Sequence, residues 1–239
     1  MVKRHLKRFG APGYWGISVK EYKWTVRPNP GPHPKNRCIP AVILIRNILK
    51  FADNHREAKY ILNNGEMLVD GRTVKEPKYP VGLMDVVSFP SRDMYYRVVP
   101  SRRVLTLQEI EKDQANKKLV KITGKSTVKG GHIQIHLHDG RNILIRVKNP
   151  GNPEVEYRVG DSLLIEVPSQ KILQHIPEKS GNLAVVTGGS HISEKATLLE
   201  IRKNVMRPDV SVLASKKKFE TLRDYVFMIG QGENPVIPL

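Results

Sequence analysis

Pro40-Ala41-Val42-Ile43-Leu44-Ile45-Arg46-Asn47-Ile48-Leu49-Lys50-Phe51-Ala52 is followed by Met67-Leu68-Val69-Asp70-Gly71-Arg72-Thr73-Val74. The first stretch reads as a helix. Pro40 suits the first helical position, and apolar residues cover most of the circumference, leaving a narrow polar stripe at Arg46, Asn47, Lys50 and Asn54. Such a helix is mostly buried. A second helix is expected from Asp53 or Asn54, with Glu57 as capping partner and Gly65 as its stop. Ala58, Ile61 and Leu62 then face inward, and Arg56, Lys59 and Asn63 face outward. The second quoted stretch is a strand, a primed turn at Asp70-Gly71 and a returning strand, and Asp85-Val86-Val87-Ser88-Phe89 adds another short strand. Two helices on a small sheet make a unit of about 65 residues, within the range that folds alone.

Upstream, the first forty residues carry nine Lys or Arg against one acid, Glu21. They hold six prolines, four glycines and both tryptophans, Trp15 and Trp24, but only six Val, Leu or Ile. That apolar surface is too small to offset the ordering entropy of the backbone, so the segment is expected to order only on another surface, and its charge points to a polyanion. Pro28-Asn29-Pro30-Gly31-Pro32-His33-Pro34 reads as a spacer that ends it. Downstream, Thr106 with Glu109 suggests a capped short helix running to Lys118. His132 to His138, Asp139-Gly140 and Arg141 to Val147 then alternate as a hairpin. Further short strands are expected at 162–167, 183–187, 197–201, 210–213 and 225–229, at barrel-like spacing. The expected architecture is α+β and multidomain: an extended basic arm over 1–38, a two-helix domain over 39–105, a central β-rich domain over 106–176, and a small β-barrel region with the C-terminal segment over 177–239.

Forty Lys and Arg against twenty-three Asp and Glu give a net charge of +17 and a pI near 10.0. Nucleic acid is the default partner of such a chain. A membrane is disfavoured, because no apolar run has spanning length and Pro and Gly interrupt the basic arm. The start Met1-Val2-Lys3-Arg4-His5-Leu6-Lys7-Arg8-Phe9 has no apolar stretch after its charges, so it is not a secretory signal. A lone cysteine, Cys38, excludes an internal disulfide and agrees with a reducing, cytoplasmic setting.

Enzyme readings find little support. His132, His136 and His138 share a strand face but have no cysteine and no placed carboxylate beside them, so no metal is expected. Gly230-x-Gly232-x-x-Pro235 lacks the third glycine and the following helix of a dinucleotide loop. No phosphate-binding Gly-Lys-Ser/Thr loop, His-Glu-x-x-His or nucleophile elbow occurs, and no cofactor is implied. Cys38, beside Pro40 in the basic spacer, reads as an inert packed thiol.

The region from Ile39 to Phe89 resembles the small RNA-binding module named after bacterial ribosomal protein S-four. The resemblance rests on Ala58 and Ile61, on Met67-x-Val69-Asp70-Gly71 and on Asp85-Val86. In that module two helices present basic groups to the backbone of structured RNA, which implies this role for Arg46, Lys50, Arg56 and Lys59. Motifs in order along the chain carry a second resemblance: Lys3-Arg4-His5-Leu6-Lys7-Arg8, Ala11-Pro12, Trp15, Gly31-Pro32-His33-Pro34, Cys38-Ile39-Pro40, Ile45-Arg46-Asn47-x-Leu49-Lys50-x-Ala52, Tyr79-Pro80-x-Gly82-x-Met84-Asp85-Val86, Val186-Thr187-Gly188-Gly189 and Ile229-Gly230-x-Gly232-x-x-Pro235. Together they look like the small-subunit ribosomal proteins of the S-four-e family, in the archaeal form because no long basic extension follows Leu239.

That resemblance implies a structural constituent of the small (30S) ribosomal subunit in the cytoplasm. Its partners would be ribosomal RNA and neighbouring small-subunit proteins, with no membrane and no homo-oligomer. The implied RNA contacts are Lys3, Arg4, His5, Lys7, Arg8, Trp15, His33, Arg37, Arg46, Lys50, Arg56 and Lys59, the cations on phosphates and Trp15 on bases or sugars. Trp15 and Trp24 have the alternative of packing on the protein itself. Residues 182–199 look like a KOW element of a small barrel, departing from it at Ser193 and Ala196, where glycines are usual, and at Glu194, where a base is common. Alanine resists positive φ and an acid repels phosphate, so a reshaped loop is expected. Lys216-Lys217-Lys218 reads equally as a solvated turn or a phosphate contact. Two rivals stay open: an RNA-modifying enzyme with an S-four-type appendage, and a transcription-elongation or translation factor.

Overall fold

The computed structural model describes residues 5–101, 104–147, 156–204, 208–215, 217–232 and 234–238. The chain is mostly β and divides into two compact units, Met1–Val99 with Leu105–Asn116, and Pro100–Val104 with Lys117–Leu239.

The first unit runs β1 (Leu6–Lys7), β2 (Trp24–Thr25), β3 (Cys38–Pro40), α1 (Ala41–Ile43), α2 (His55–Asn63), β4 (Leu68–Val69), β5 (Arg72–Thr73), β6 (Pro80–Gly82), β7 (Val86–Phe89), β8 (Met94–Ser101), β9 (Val104–Glu109) and α3 (Lys112–Ala115). β1 pairs antiparallel with β2, β3 with β6, and the remaining strands form a sheet in the order β5-β4-β7-β8-β9. Its core is built around α1: Ile39 and Ala41 through Ile45 are fully buried with Leu62, Met67, Val81, Met84 and Val87. Each large aliphatic among them contributes roughly 1.5–3 kcal/mol by leaving water. α2 starts as its sequence requires. Asn54 Oδ1 accepts from the Arg56 and Glu57 amides at 2.9 and 3.0 Å, and Glu57 reaches back to the Asp53 amide at 2.9 Å. Ala58, Ile61 and Leu62 are buried while Arg56 and Lys59 are exposed. Asp70 and Gly71, at φ 51° and 73°, make the primed turn between β4 and β5.

The second unit runs β10 (Lys117–Thr127), β11 (Ile133–Leu137), β12 (Asn142–Ile145), β13 (Ser162–Glu166), β14 (Ile172–Ile176), β15 (Leu183–Val186), β16 (Lys195–Arg202), β17 (Val210–Ala214), β18 (Lys218–Leu222), β19 (Val226–Gln231) and β20 (Asn234–Pro235). β10 is shared: its first half pairs with β13, and after a register shift between Ile122 and Gly124 its second half pairs with β11. That irregularity bends the long strand around a core of Val120, Ile122, Ile135, Leu137, Leu163 and Ile165. β15 to β20 form a second sheet, ordered β18-β17-β16-β15-β19-β20.

Three expectations are corrected. The first helix does not run to Ala52: α1 passes into a π-helical turn at Leu44–Ile48, with the Leu49 amide on Leu44 O and the Phe51 amide on Ile45 O, and Lys50 turns left-handed at φ 56°. This frees Phe51 to meet Phe89 edge-on, ring centroids 5.1 Å apart. The helix expected from Thr106 is instead β9, where alternating Leu105, Thr106 and Leu107 suit a pleated edge, and only Lys112–Ala115 is helical. Residues 5–37 do not wait for an outside surface. They order on the first unit, where Leu6 and Trp15 join the core and the Trp15 indole N–H donates to Cys38 O at 2.8 Å.

Candidate nucleic-acid interface

A cleft of about 930 Å³ in the first unit is lined by Tyr22, Lys23, Trp24, Arg46, Asn47, Lys50 and His55, among others. Two pieces of backbone build it. On one side the β1–β2 pairing sets Lys7 opposite Trp24, and Arg8 acts as an internal clamp. The buried Arg8 guanidinium donates to Ser18 O at 2.6 Å and Glu21 Oε2 at 2.9 Å, and lies 4.8 Å from the Tyr22 ring centroid. With the loop so held, Tyr22 and Trp24 stand 64% and 50% exposed. The Lys23 ammonium lies 5.4 Å from the Trp24 ring centroid, and the His5 ring is 5.7 Å from it.

On the other side the π-helical turn and the left-handed Lys50 present the polar stripe of the first helix. Arg46, Asn47, Lys50 and Asn54, adjacent on a helical wheel, all line the cleft. Arg46 Nε donates to Asn47 Oδ1 at 3.0 Å. Burial and the nearby Arg8 charge lower the Arg46 guanidinium below its ordinary value, and partial burial with Arg46, Lys59 and Lys78 lowers the His55 imidazole. That environment disfavours the imidazolium and leaves His55 as a hydrogen-bonding group among cations. The exposed Arg56 and Lys59 continue this charge along α2.

The remaining expected contacts separate. Trp15 is fully buried and leaves no face for a base, which corrects its assignment to RNA stacking. His33 is likewise interior, its Nε2 3.0 Å from both carboxylate oxygens of Asp85, whose Oδ2 also accepts from the Gly82 amide at 2.8 Å. Arg8 is a clamp rather than a free cation, while His5, Lys7 and Arg37 are exposed. Lys3, Arg4 and Lys216 lie outside the described residues. A second groove, about 670 Å³, follows the Pro-rich spacer and gathers Arg27, Lys35 and Lys78. Tyr22, Lys23, His55 and Lys78 escaped the sequence reading; a Lys-Trp dipeptide was a usable signal for Lys23, and nothing local marked His55.

In the second unit Ser193 holds φ 73° and Ala196 is buried in β16, so the serine keeps the backbone conformation that glycine would favour. Glu194 Oε2 pairs with His191 Nδ1 at 3.3 Å, and His191 stacks on Phe219 at 4.2 Å between centroids. His136 bonds Ser126 Oγ and Asn142 Oδ1, while His132 and His138 accept from the Val147 and Lys121 amides. No metal-ligand cluster occurs among the described residues, and no helix among them is long and apolar enough to cross a membrane. Cys38 is buried, and burial together with the Asp85 charge pushes its thiol up to about 12, which leaves it unreactive.

Residues 92–172 match the ribosomal family S4e, and residues 2–36 match the RS4NT (NUC023) domain. The small ribosomal subunit protein eS4 of Methanocaldococcus jannaschii is 48% identical over 99% of this chain and 98% of its own length. Those of Methanothermobacter thermautotrophicus and Staphylothermus marinus are 47% and 46% identical, over 98% and 99% of this chain and 95% and 96% of theirs. The crystal structure of the 30S ribosomal protein S4e from Thermoplasma acidophilum superposes with a TM-score of 0.71 at 34% identity, covering 85% of this chain and all of that one. With identities this high across nearly the whole length, the chain belongs to the ribosomal protein family S4e.

Proposed function

We propose that this protein is a structural constituent of the small ribosomal subunit that binds ribosomal RNA through its first unit. It is not an enzyme; its work is binding within the cytoplasmic ribosome. The observation that carries the reading is the convergence of Arg46, Lys50, Lys23 and Trp24 on one cleft, continuous with Arg56 and Lys59 on α2. Cations release counterions from phosphates while the exposed aromatics stack on unpaired bases. The helices and sheet of 39–105 act as an S-four-type module, and residues 5–38 form its second wall. The domains at 106–176 and 177–239, the latter holding a KOW element, dock on RNA and neighbouring ribosomal proteins. Ser193 supports that element by keeping the left-handed turn, whereas Glu194 directs its phosphate contacts elsewhere.

Replacing Arg46, Lys50, Arg56 and Lys59 together by Ala tests the interface. Each lost phosphate contact should reduce the slope of log K against log salt by about 0.7–0.9. Unchanged slope and affinity for small-subunit RNA would reject this face.

A further inference from the structure

We propose that the cleft between Trp24 and the turn after α1 receives a single unpaired RNA nucleotide, its base against Trp24 and its phosphate on Arg46 and Lys50. The inference rests on the RNA-binding reading above and names what that cleft takes. Three observations carry it. The first is shape: a duplex is a convex rod, whereas a concavity of about 930 Å³ admits a group that leaves the stack.

The second is the mixture of chemistries. A surface built only for phosphates would avoid carboxylates, yet Glu21 and Asp53 line this cleft together with His55. Arg8 already neutralises Glu21. Acceptors of this kind match the N–H donors on a base edge, which become available once the base is unpaired. Trp24, half exposed and with Lys23 beside its ring, supplies the stacking plane.

The third is backbone conformation. Lys50 holds φ 56°, which a glycine or asparagine would adopt more cheaply, and the residue held in that conformation lines the cleft. Arg46 lines the same wall, half-buried, with its Nε held on Asn47 Oδ1. A strained Lys50 and a half-buried Arg46 thus share the wall where an anion would settle.

The test uses the full-length protein and two short RNA duplexes of equal length, one fully paired and one with a single bulged 2-aminopurine. The expected result is binding about ten-fold tighter to the bulged duplex, with quenching of 2-aminopurine fluorescence on stacking. Trp24→Ala should abolish the preference and the quenching. Trp24→Phe, which keeps a stacking plane, should restore most of both. Equal affinity for the two duplexes with unquenched 2-aminopurine overturns the nucleotide site and leaves the RNA-binding surface standing. Failure to bind either duplex in a salt-dependent way overturns the RNA-binding reading, and the nucleotide site with it.

Discussion

Lys50 couples fold and binding in opposite senses, and Lys50→Gly separates them. At φ 56° a side-chain-bearing residue costs roughly 1–2 kcal/mol relative to its relaxed backbone. Glycine removes that cost, but its freer unfolded chain takes back roughly 0.5–1 kcal/mol. The substitution should therefore stabilise the first unit, by up to roughly 1.5 kcal/mol. Both tryptophans lie in that unit, so fluorescence followed in urea reports it: the midpoint should rise with the slope m unchanged. The same change removes one cation from the cleft, so the salt slope for RNA should fall by about 0.7–0.9 and affinity should drop at low salt. Lys50→Asn, which tolerates the left-handed region, should show the same loss of slope. A lower urea midpoint for Lys50→Gly would refute the account of backbone strain. An unaltered salt slope would remove Lys50 from the interface.

Three further outcomes follow from the packing. Trp15→Ala should cost about 3–5 kcal/mol and open residues 16–37 to proteolysis. Trp15→Phe should cost only about 1 kcal/mol, because the Tyr14 hydroxyl still donates to Cys38 O at 3.1 Å; equal losses in the two variants would contradict this. In Gly82→Ala the new Cβ collides with the His33 ring, so hydrogen exchange of residues 5–37 should accelerate, and adding His33→Ala, which removes the ring together with its tie to Asp85, should cost less than the sum of the two single changes; additive damage in the double variant would refute the clash. In the second unit Asp139 Oδ2 lies 2.9 Å from Lys118 Nζ with both groups sealed from water. Burial pulls that carboxyl up, but Lys118, His138 and Arg141 together hold it below its ordinary value. A folded value below the unfolded one gives stability that is complete above about pH 3.9 and declines as pH falls through the folded value. Asp139→Asn should cost about 3–5 kcal/mol at pH 7 and flatten the acid limb of the stability curve of β10 and its neighbours, and an unchanged acid limb would refute it.

Where local chemistry decides structure, the sequence was legible. Asn54 with Glu57, Asp70-Gly71, and the alternation from His132 to Val147 all act within a few residues, and the structure uses each of them. The polar stripe Arg46, Asn47, Lys50 and Asn54 also survived, although the helix that suggested it is broken at Lys50, because those residues converge on the cleft by a π-helical turn and a cap. Thr106 with Glu109 misled, since pairing of β9 with β8 outweighs a cap of about 1 kcal/mol. His33 and Arg8 were invisible as core groups, and Trp15 stayed open between RNA and the protein's own packing: each is held by a partner distant in sequence, Asp85, Glu21 and Cys38 respectively, and a chain scanned in short windows shows only a basic, proline-rich tail.

That hidden packing changes the energetics of the interface. A disordered basic arm must lose its backbone freedom when RNA arrives, at roughly 1–2 kcal/mol per residue fixed, and most of its phosphate contacts would only offset that loss. Here Leu6 and Trp15 are already in the core, β1 is already paired with β2, and the buried His33–Asp85 contact ties the Pro-rich spacer to the turn before β7. In the proposed interface Tyr22, Lys23 and Trp24 are therefore in place before RNA arrives, their loop held by Arg8. Contacts made by a wall that is already ordered appear as affinity with little deduction for ordering. Loosening that wall should weaken RNA binding even through residues that touch no RNA, and Trp15, buried and without a face for a base, is the position where the effect is cleanest.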